Sequence, residues 1–325
     1  MSQLRDLNVF KNWPRFLGKF APSPTLEKLT LDDKNRDSPI PVIKLSFHTF
    51  MHYLKHPNLH HLVLHGRDNP TPLKPLGPEA NQCGFDDCLS RFSIKTLTLS
   101  QNLVGGSLLD SLLRQFPKLK TLNIAAGKSI VWGSLTEPWT LSNSRGLYEA
   151  MLRCAGYLEE LTIMPPDKLP SRETFVLGSL RSFTSLKSLV IDPKTLVGRQ
   201  VGRKIESVYD EFSKELGWRC SFAAMLPQNL EHLGLLFDPM PTSNLHLNLE
   251  DILQGILVER NERLGLLTRI TLYPRDEECG GGVLRGAVWA CRDAGIEIRV
   301  IKTIKSYQTY FQGQWIQPEW PNWEK

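Results

Sequence analysis

Six of the eight histidines fall within one short stretch: His48, His52, His56, His60, His61 and His65. His48, His52 and His56 stand four residues apart, so on a helix they share one face. An i, i+4 pair of neutral imidazoles can ligate Zn²⁺ or Ni²⁺. No carboxylate or cysteine in that stretch completes a ligand set, and no His-Glu-x-x-His pattern is present. The cluster reads first as a solvated helix face followed by polar strand positions. Metal binding by His48, His52 and His56 is the weaker alternative.

The other chemistry-bearing residues also fall short of a reactive pattern. Gly280-Gly281-Gly282-Val283-Leu284-Arg285-Gly286 stands where a phosphate loop would, between a strand pattern and a helix pattern. Its spacing fits neither G-x-G-x-x-G nor the Lys-Ser/Thr phosphate loop, so it reads as a turn before a helix. There is no G-x-S-x-G elbow. The six cysteines, Cys83, Cys88, Cys154, Cys220, Cys279 and Cys291, are scattered and form no CxxC pair. Asp32-Asp33, Asp86-Asp87 and Glu277-Glu278 lie in loop-like sequence and read as solvated turns. Neither catalysis nor a cofactor is expected.

Behind these residues stands a repeat. One phrase, apolar-x-x-apolar-x-apolar, recurs as Leu26–Leu31, Leu59–Leu64, Ile94–Leu99, Leu119–Ile124, Leu158–Ile163, Leu186–Ile191, Leu230–Leu235 and Leu267–Leu272. A degenerate ninth copy is Ile296–Ile301. The last three positions alternate like a short strand with one buried face. The first apolar residue packs under the turn that enters the strand.

Between copies lie patterns with apolar residues at i, i+3, i+4 spacing, which predict helices. They cover 44–56, 107–116, 145–155, 172–183, 205–224, 249–263 and 283–294. Proline or glycine often precedes the next strand, as at Pro57, Pro117, Gly156, Pro227 and Gly295. Strand and helix alternating at roughly 34 residues fit either a wound α/β globule or a solenoid. Leucine at the first position, very short strands and nine copies favour the solenoid.

On these phrases the chain resembles the irregular leucine-rich-repeat region of fungal F-box/leucine-rich-repeat-type proteins, from Leu26 to about Ile301. The Asn or Cys that usually follows three positions after the phrase is kept only at Asn102. The resemblance implies an α/β leucine-rich-repeat solenoid of nine strand-helix units. Parallel strands would form the concave face, and helices the convex face. It also implies a protein or peptide ligand, as in the substrate-binding part of a ubiquitin-ligase receptor. The 25 residues before Leu26 contain no Leu-Pro-x-Glu opening. They are expected to be an N-terminal cap (1–25). The solenoid follows (26–301), with insertions at 67–92 and 130–143. An aromatic-rich cap or tail (302–325) closes the chain. Ubiquitin-ligase machinery enters only if an F-box is missing upstream.

In such a solenoid the residues between the apolar ones would face the ligand. The third position of the phrase gives Lys28, His61, Thr96, Thr121, Glu160, Ser188, His232 and Arg269. The fifth gives Thr98, Asn123, Thr162 and Val190 among others, and the residue after the phrase gives Leu236 and Tyr273. A neutral polar floor with apolar lips (Val190, Leu236, Tyr273) suits a protein partner. Trp132 and Trp139 in the second insertion could add loop contacts, since exposed tryptophan is favoured at interface centres.

The chain is 325 residues, 41% hydrophobic and 22% charged, with a net charge of +5. That is enough to build a core. A nucleic-acid groove would need a basic track with aromatics, and this face carries few charges of both signs. No stretch approaches the roughly 20 apolar residues of a membrane span. No signal peptide is evident, so a cytoplasmic or nuclear protein is expected. Two other functions stay open: an α/β enzyme with a site at the strand carboxyl ends, and a metal-binding protein built on the histidines.

Overall fold

Three alternating residues cannot hold a strand alone; they need a paired neighbour. The computed structural model describes residues 5–10, 23–32, 53–65, 92–100, 106–125, 141–164, 177–197, 221–237, 249–274 and 285–300. Most of both insertions, the helix patterns over 44–52 and 205–220, and the aromatic tail over 302–325 lie outside these residues. Within the described residues every regular phrase ends in a strand. The strands are β1 (Asp6–Phe10), β2 (Lys28–Asp32), β3 (His61–His65), β4 (Thr96–Ser100) and β5 (Thr121–Ala125). They continue as β6 (Glu160–Met164), β7 (Ser188–Ile191), β8 (His232–Phe237), β9 (Arg269–Pro274) and β10 (Glu297–Val300). The class is α/β, and every strand pairing described is parallel.

The chain folds as two compact units. One is Met1–Glu160 with Pro165–Glu173, and the other is Leu161–Met164 with Thr174–Lys325. In the first, β1 to β5 lie side by side in chain order; in the second, β7 to β10 do the same. The register is the same at every step: Leu29 faces Leu62, Leu62 faces Leu97, and Leu97 faces Leu122. Leu189, Leu233 and Ile270 continue the pattern in the second unit.

One backbone device sets that register. The carbonyl of the second phrase residue accepts two successive N–H groups from the next copy. Lys95 O takes Lys120 N–H at 2.8 Å and Thr121 N–H at 2.9 Å. Arg5, Glu27, His60 and Lys120 do the same in the first unit, and Lys187 and Glu231 in the second. The first phrase residue closes the turn before the strand, as Leu119 N–H does on Phe116 O at 3.1 Å. Its side chain is fully buried in all eight regular copies. Two asparagines reinforce these turns. Asn58 donates from Nδ2 to Pro24 O at 2.8 Å, and Asn229 to Thr184 O at 2.6 Å.

The helices bury matching faces. In α1 (Gly106–Gln115), Leu109, Leu112 and Leu113 are buried, with Phe116 just beyond. In α2 (Leu141–Leu152) the buried set is Leu147, Ala150 and Met151, followed by Cys154. The described part of the second unit includes two short helices, α3 (Pro193–Val197) and α4 (Ser221–Ala224). Next comes α5 (Leu249–Glu262), which buries Leu249, Ile252, Leu253 and Ile256, and α6 (Arg285–Asp293) follows. The stripes of α1, α2 and α5 recur at i, i+3, i+4 and i+7, as an amphipathic helix on a core requires. Gly295, at φ 73°, ends the segment after α6, and Ile296 N–H reaches back to Cys291 O at 2.8 Å.

Three expectations change. Residues 1–25 contain a strand, because β1 pairs with β2 in parallel. Its register exposes a tenth phrase, Leu4–Val9 (LRDLNV). The ninth phrase is framed one residue too late: the register runs it over 295–300. Glu297 aligns with Arg269 and Ile298 with Ile270, so Ile298 takes the core place and Arg299 does not. The helix predicted over 172–183 is absent from its described part, 177–183, which runs through turns. Gly178 adopts φ 100° there, which a helix does not allow. Leu177, Leu180 and Phe183 are buried nonetheless. Their three-residue spacing serves turns, with Leu180 N–H donating to Met225 O at 2.9 Å.

Leu122 is fully buried on β5. Leu122→Ala should therefore cost about 2–5 kcal/mol in urea unfolding. Lys118→Ala, at an exposed turn position, should stay within about 0.5 kcal/mol of the parent.

Candidate functional site

Strand alternation sends the phrase leucines into the core and the residues between them to the opposite face. Register then assembles those residues into rows. In the first unit Lys28, His61, Thr96 and Thr121 are direct neighbours across β2 to β5. Thr30, Val63, Thr98 and Asn123 form the next row. Asn123 Nδ2 donates to Thr98 Oγ1 at 3.2 Å, and Thr121 Oγ1 donates to Glu160 Oε2 at 3.1 Å. Lys120 Nζ meets Glu159 Oε1 at 2.5 Å beside this row. In the second unit Ser188, His232, Arg269 and Glu297 line up across β7 to β10.

Burial sorts the expected residues. Lys28, His61, Thr96, Thr121, Asn123, Glu160, Ser188, His232 and Arg269 are half-buried or exposed. Thr98 and Thr162 are buried at 6% and 7% exposure, and Val190, Leu236 and Tyr273 at 4%, 2% and 2%. The apolar lips are thus packed, not open. Gly234 shows why: a Cβ there would lie 2.8 Å from Val190 Cγ2 and 2.9 Å from Tyr273 Cε2. The Tyr273 ring fills the room that the missing side chain leaves, against Val190.

Next to that packed patch is a hydrogen-bonded chain. His232 Nδ1 lies 3.1 Å from Ser188 Oγ, and Nε2 lies 2.8 Å from Thr271 Oγ1. One neutral imidazole, donating from one nitrogen and accepting at the other, satisfies both hydroxyls and ties three strands together. Burial, and then the charges of Arg269 and Arg299, lower the His232 pKa to about 4 against the opposing pull of Glu297. Glu297 itself accepts from Arg299 Nε at 2.7 Å and from Arg269 Nε at 2.9 Å. These two hydrogen bonds hold its carboxyl below the usual range.

The histidine cluster divides. His48 and His52 lie outside the described residues, as do Trp132 and Trp139. His56 Nδ1 is buried without a hydrogen-bond partner among the described residues, while His60 Nδ1 sits 3.1 Å from Ser93 O. His61 stands in the first unit's row, its pKa lowered by lost hydration and then by Lys28 and His60. Among the described residues, no three His, Cys, Asp or Glu side chains group as a metal site. Cys154 and Cys291 are buried free thiols, pushed up to about 12 and about 11 by desolvation. Neither has the thiolate character a nucleophile needs. No described helix is long and apolar enough to cross a membrane.

Glu297 and Arg299 are the residues of this face that the sequence pattern does not single out. Their signal is the ninth phrase, once it is framed one residue earlier, over 295–300. No protein-family model matches the chain, and no curated protein matches it.

Gly234→Ala should destabilise the fold by roughly 1–3 kcal/mol in thermal unfolding, because Val190 and Tyr273 must both move. His232 gives a pH signature. Its folded pKa lies below the unfolded value of 6.5, so its contribution is complete above that value and is lost as pH falls toward about 4. The loss should be roughly 2 kcal/mol, discounted for the solvent that still reaches a half-buried ring. Urea midpoints measured across that range should fall less steeply for His232→Gln.

Proposed function

We propose that the chain is a non-catalytic protein-recognition scaffold, built as a leucine-rich-repeat solenoid. It would work like the substrate-binding part of an F-box receptor. The observation that carries this is the shared register of the short parallel strands. It sets Lys28, His61, Thr96 and Thr121 side by side on one face of the first unit. That row is polar, nearly neutral at its centre and fixed on a rigid support, as a partner-binding surface should be. Burial raises the pKa of the Cys154 and Cys291 thiols, so neither takes a nucleophilic role in this reading. Coupling of a bound protein to ubiquitin transfer would require an F-box module, and it rests on the family resemblance alone.

The test is capture of intracellular proteins on the immobilised full chain. Each captured protein is then rebound to a Thr96→Arg/Thr121→Arg variant with an unchanged thermal midpoint. A true partner should lose at least about tenfold in affinity, because two long cations would stand in the centre of a neutral row. If every captured protein binds the variant as it binds the parent, this face is not the recognition surface.

A further inference from the structure

Arg269 on β9 and Glu297 on β10 are register partners, and Arg299 lies two residues beyond Glu297 on the same face. Each arginine reaches the carboxylate through Nε alone: Arg269 to Oε2 at 2.9 Å and Arg299 to Oε1 at 2.7 Å. A guanidinium carries five N–H donors in a planar fork. The η nitrogens of both arginines therefore have no partner among the described residues. The three side chains are 44%, 44% and 46% exposed. One carboxylate faces two guanidinium groups, so the group carries a net positive charge.

A purely structural role explains this arrangement poorly. The Arg299–Glu297 bond joins two residues of one strand, which the backbone already holds together. Other paired arginines do connect elements. Arg114 and Arg153 share Asp110, which ties α1 to the segment after α2. Arg181 donates to Ala224 O at 2.5 Å, and Arg263 donates to Ala223 O at 3.0 Å; together they cap α4. Glu297 joins β10 to Arg269 of β9 and also holds a second guanidinium, that of Arg299, beside it on the surface. Fixing both groups in advance lowers the conformational entropy lost when an oxyanion binds.

We infer that Arg269 and Arg299, held by Glu297, form a fork that binds an oxyanion-bearing side chain of a protein partner, either an Asp/Glu carboxylate or a phosphorylated Ser/Thr. This rests on the recognition-scaffold reading and names the chemistry of its partner. Guanidinium binds both groups through paired N–H···O bonds. Ser188, His232 and Thr271, next along the face, are already joined to one another, and His232 is neutral near pH 7.

The experiment uses the full chain at low ionic strength. Three probes are titrated: a fluorescein-labelled hexa-aspartate peptide, a labelled phosphoserine peptide, and inorganic phosphate as competitor. Fluorescence anisotropy is the readout. Either labelled peptide should bind. Arg269→Gln and Arg299→Gln should each weaken binding by about fivefold or more. Glu297→Gln keeps an amide oxygen to hold a guanidinium but removes the opposing charge, so it should strengthen binding by about threefold. A carboxylate with no part in the fork would leave binding unchanged in that last variant. All three positions are substantially exposed, and an unchanged thermal midpoint shows that each variant is folded. Tighter binding of the phosphoserine peptide assigns the fork to phosphate, tighter binding of hexa-aspartate assigns it to carboxylate, and equal binding assigns it to either oxyanion.

The inference is overturned if neither peptide binds, or if the arginine variants bind like the parent. Weaker binding by Glu297→Gln overturns it as well. It is also overturned if inorganic phosphate binds as tightly as both peptides, since the ligand would then be a free anion. If proteins still depend on Thr96 and Thr121 while the fork binds nothing, the inference alone falls. If no captured protein depends on that row, the first unit's face falls as the recognition surface, independently of the fork.

Discussion

The fold of each unit depends on a carbonyl oxygen that serves two donors. At the second residue of a phrase, one C=O accepts successive N–H groups from the following copy, as Lys95 O does for Lys120 and Thr121. Backbone donors cannot remain unpaired in a core, so this contact fixes register to the residue. Register then decides which side chains meet. Leu97 falls opposite Leu122 and Thr96 opposite Thr121, so core and outer face are set together. A slip of one residue would put the threonines inside and the leucines outside. The variable lengths between phrases follow from the same device, because only the turn and the strand are constrained.

The outer face of the second unit shows how such a sheet carries polar groups at close quarters. His232 sits between two hydroxyls with the charges of Arg269 and Arg299 acting on it, and burial and those charges favour the neutral ring. A protonated ring would place a third cation beside Arg269 and Arg299. Tyr273 and Gly234 solve a steric version of the same problem, with the absent Cβ leaving space for the ring. The two solutions stand side by side, so little of that patch can be altered independently.

Much of this is legible in the sequence because the hydrophobic pattern is strict. Each of the eight regular phrases ends in a strand, and α1, α2, α5 and α6 lie within or across the predicted helical patterns. Three things are not legible. A spacing of three apolar residues does not distinguish a helix from successive turns, so 177–183 reads as a helix until Gly178 decides it. The alternation of Glu297–Val300 fits two frames, and only pairing with β9 selects one. Exposure does not follow from alternation either: Thr98 and Asn123 share a row, yet Thr98 is buried and Asn123 is not. The tenth phrase, Leu4–Val9, is visible in principle but lies before the run of regular copies, in a stretch with no helical pattern beside it.

The two-donor carbonyl also gives the ladder a direction. At Arg5, Glu27, His60, Lys95 and Lys120 in the first unit, and at Lys187 and Glu231 in the second, a copy offers an acceptor to the copy that follows. Cutting copies from the carboxyl side of a unit would leave a bare C=O, which tolerates being unpaired more readily than an N–H does. Cutting from the amino side would strand two adjacent N–H groups at the mouth of a strand. The array is therefore a one-way zipper. Copies can be lost or gained at its trailing edge with less disruption than at its leading edge.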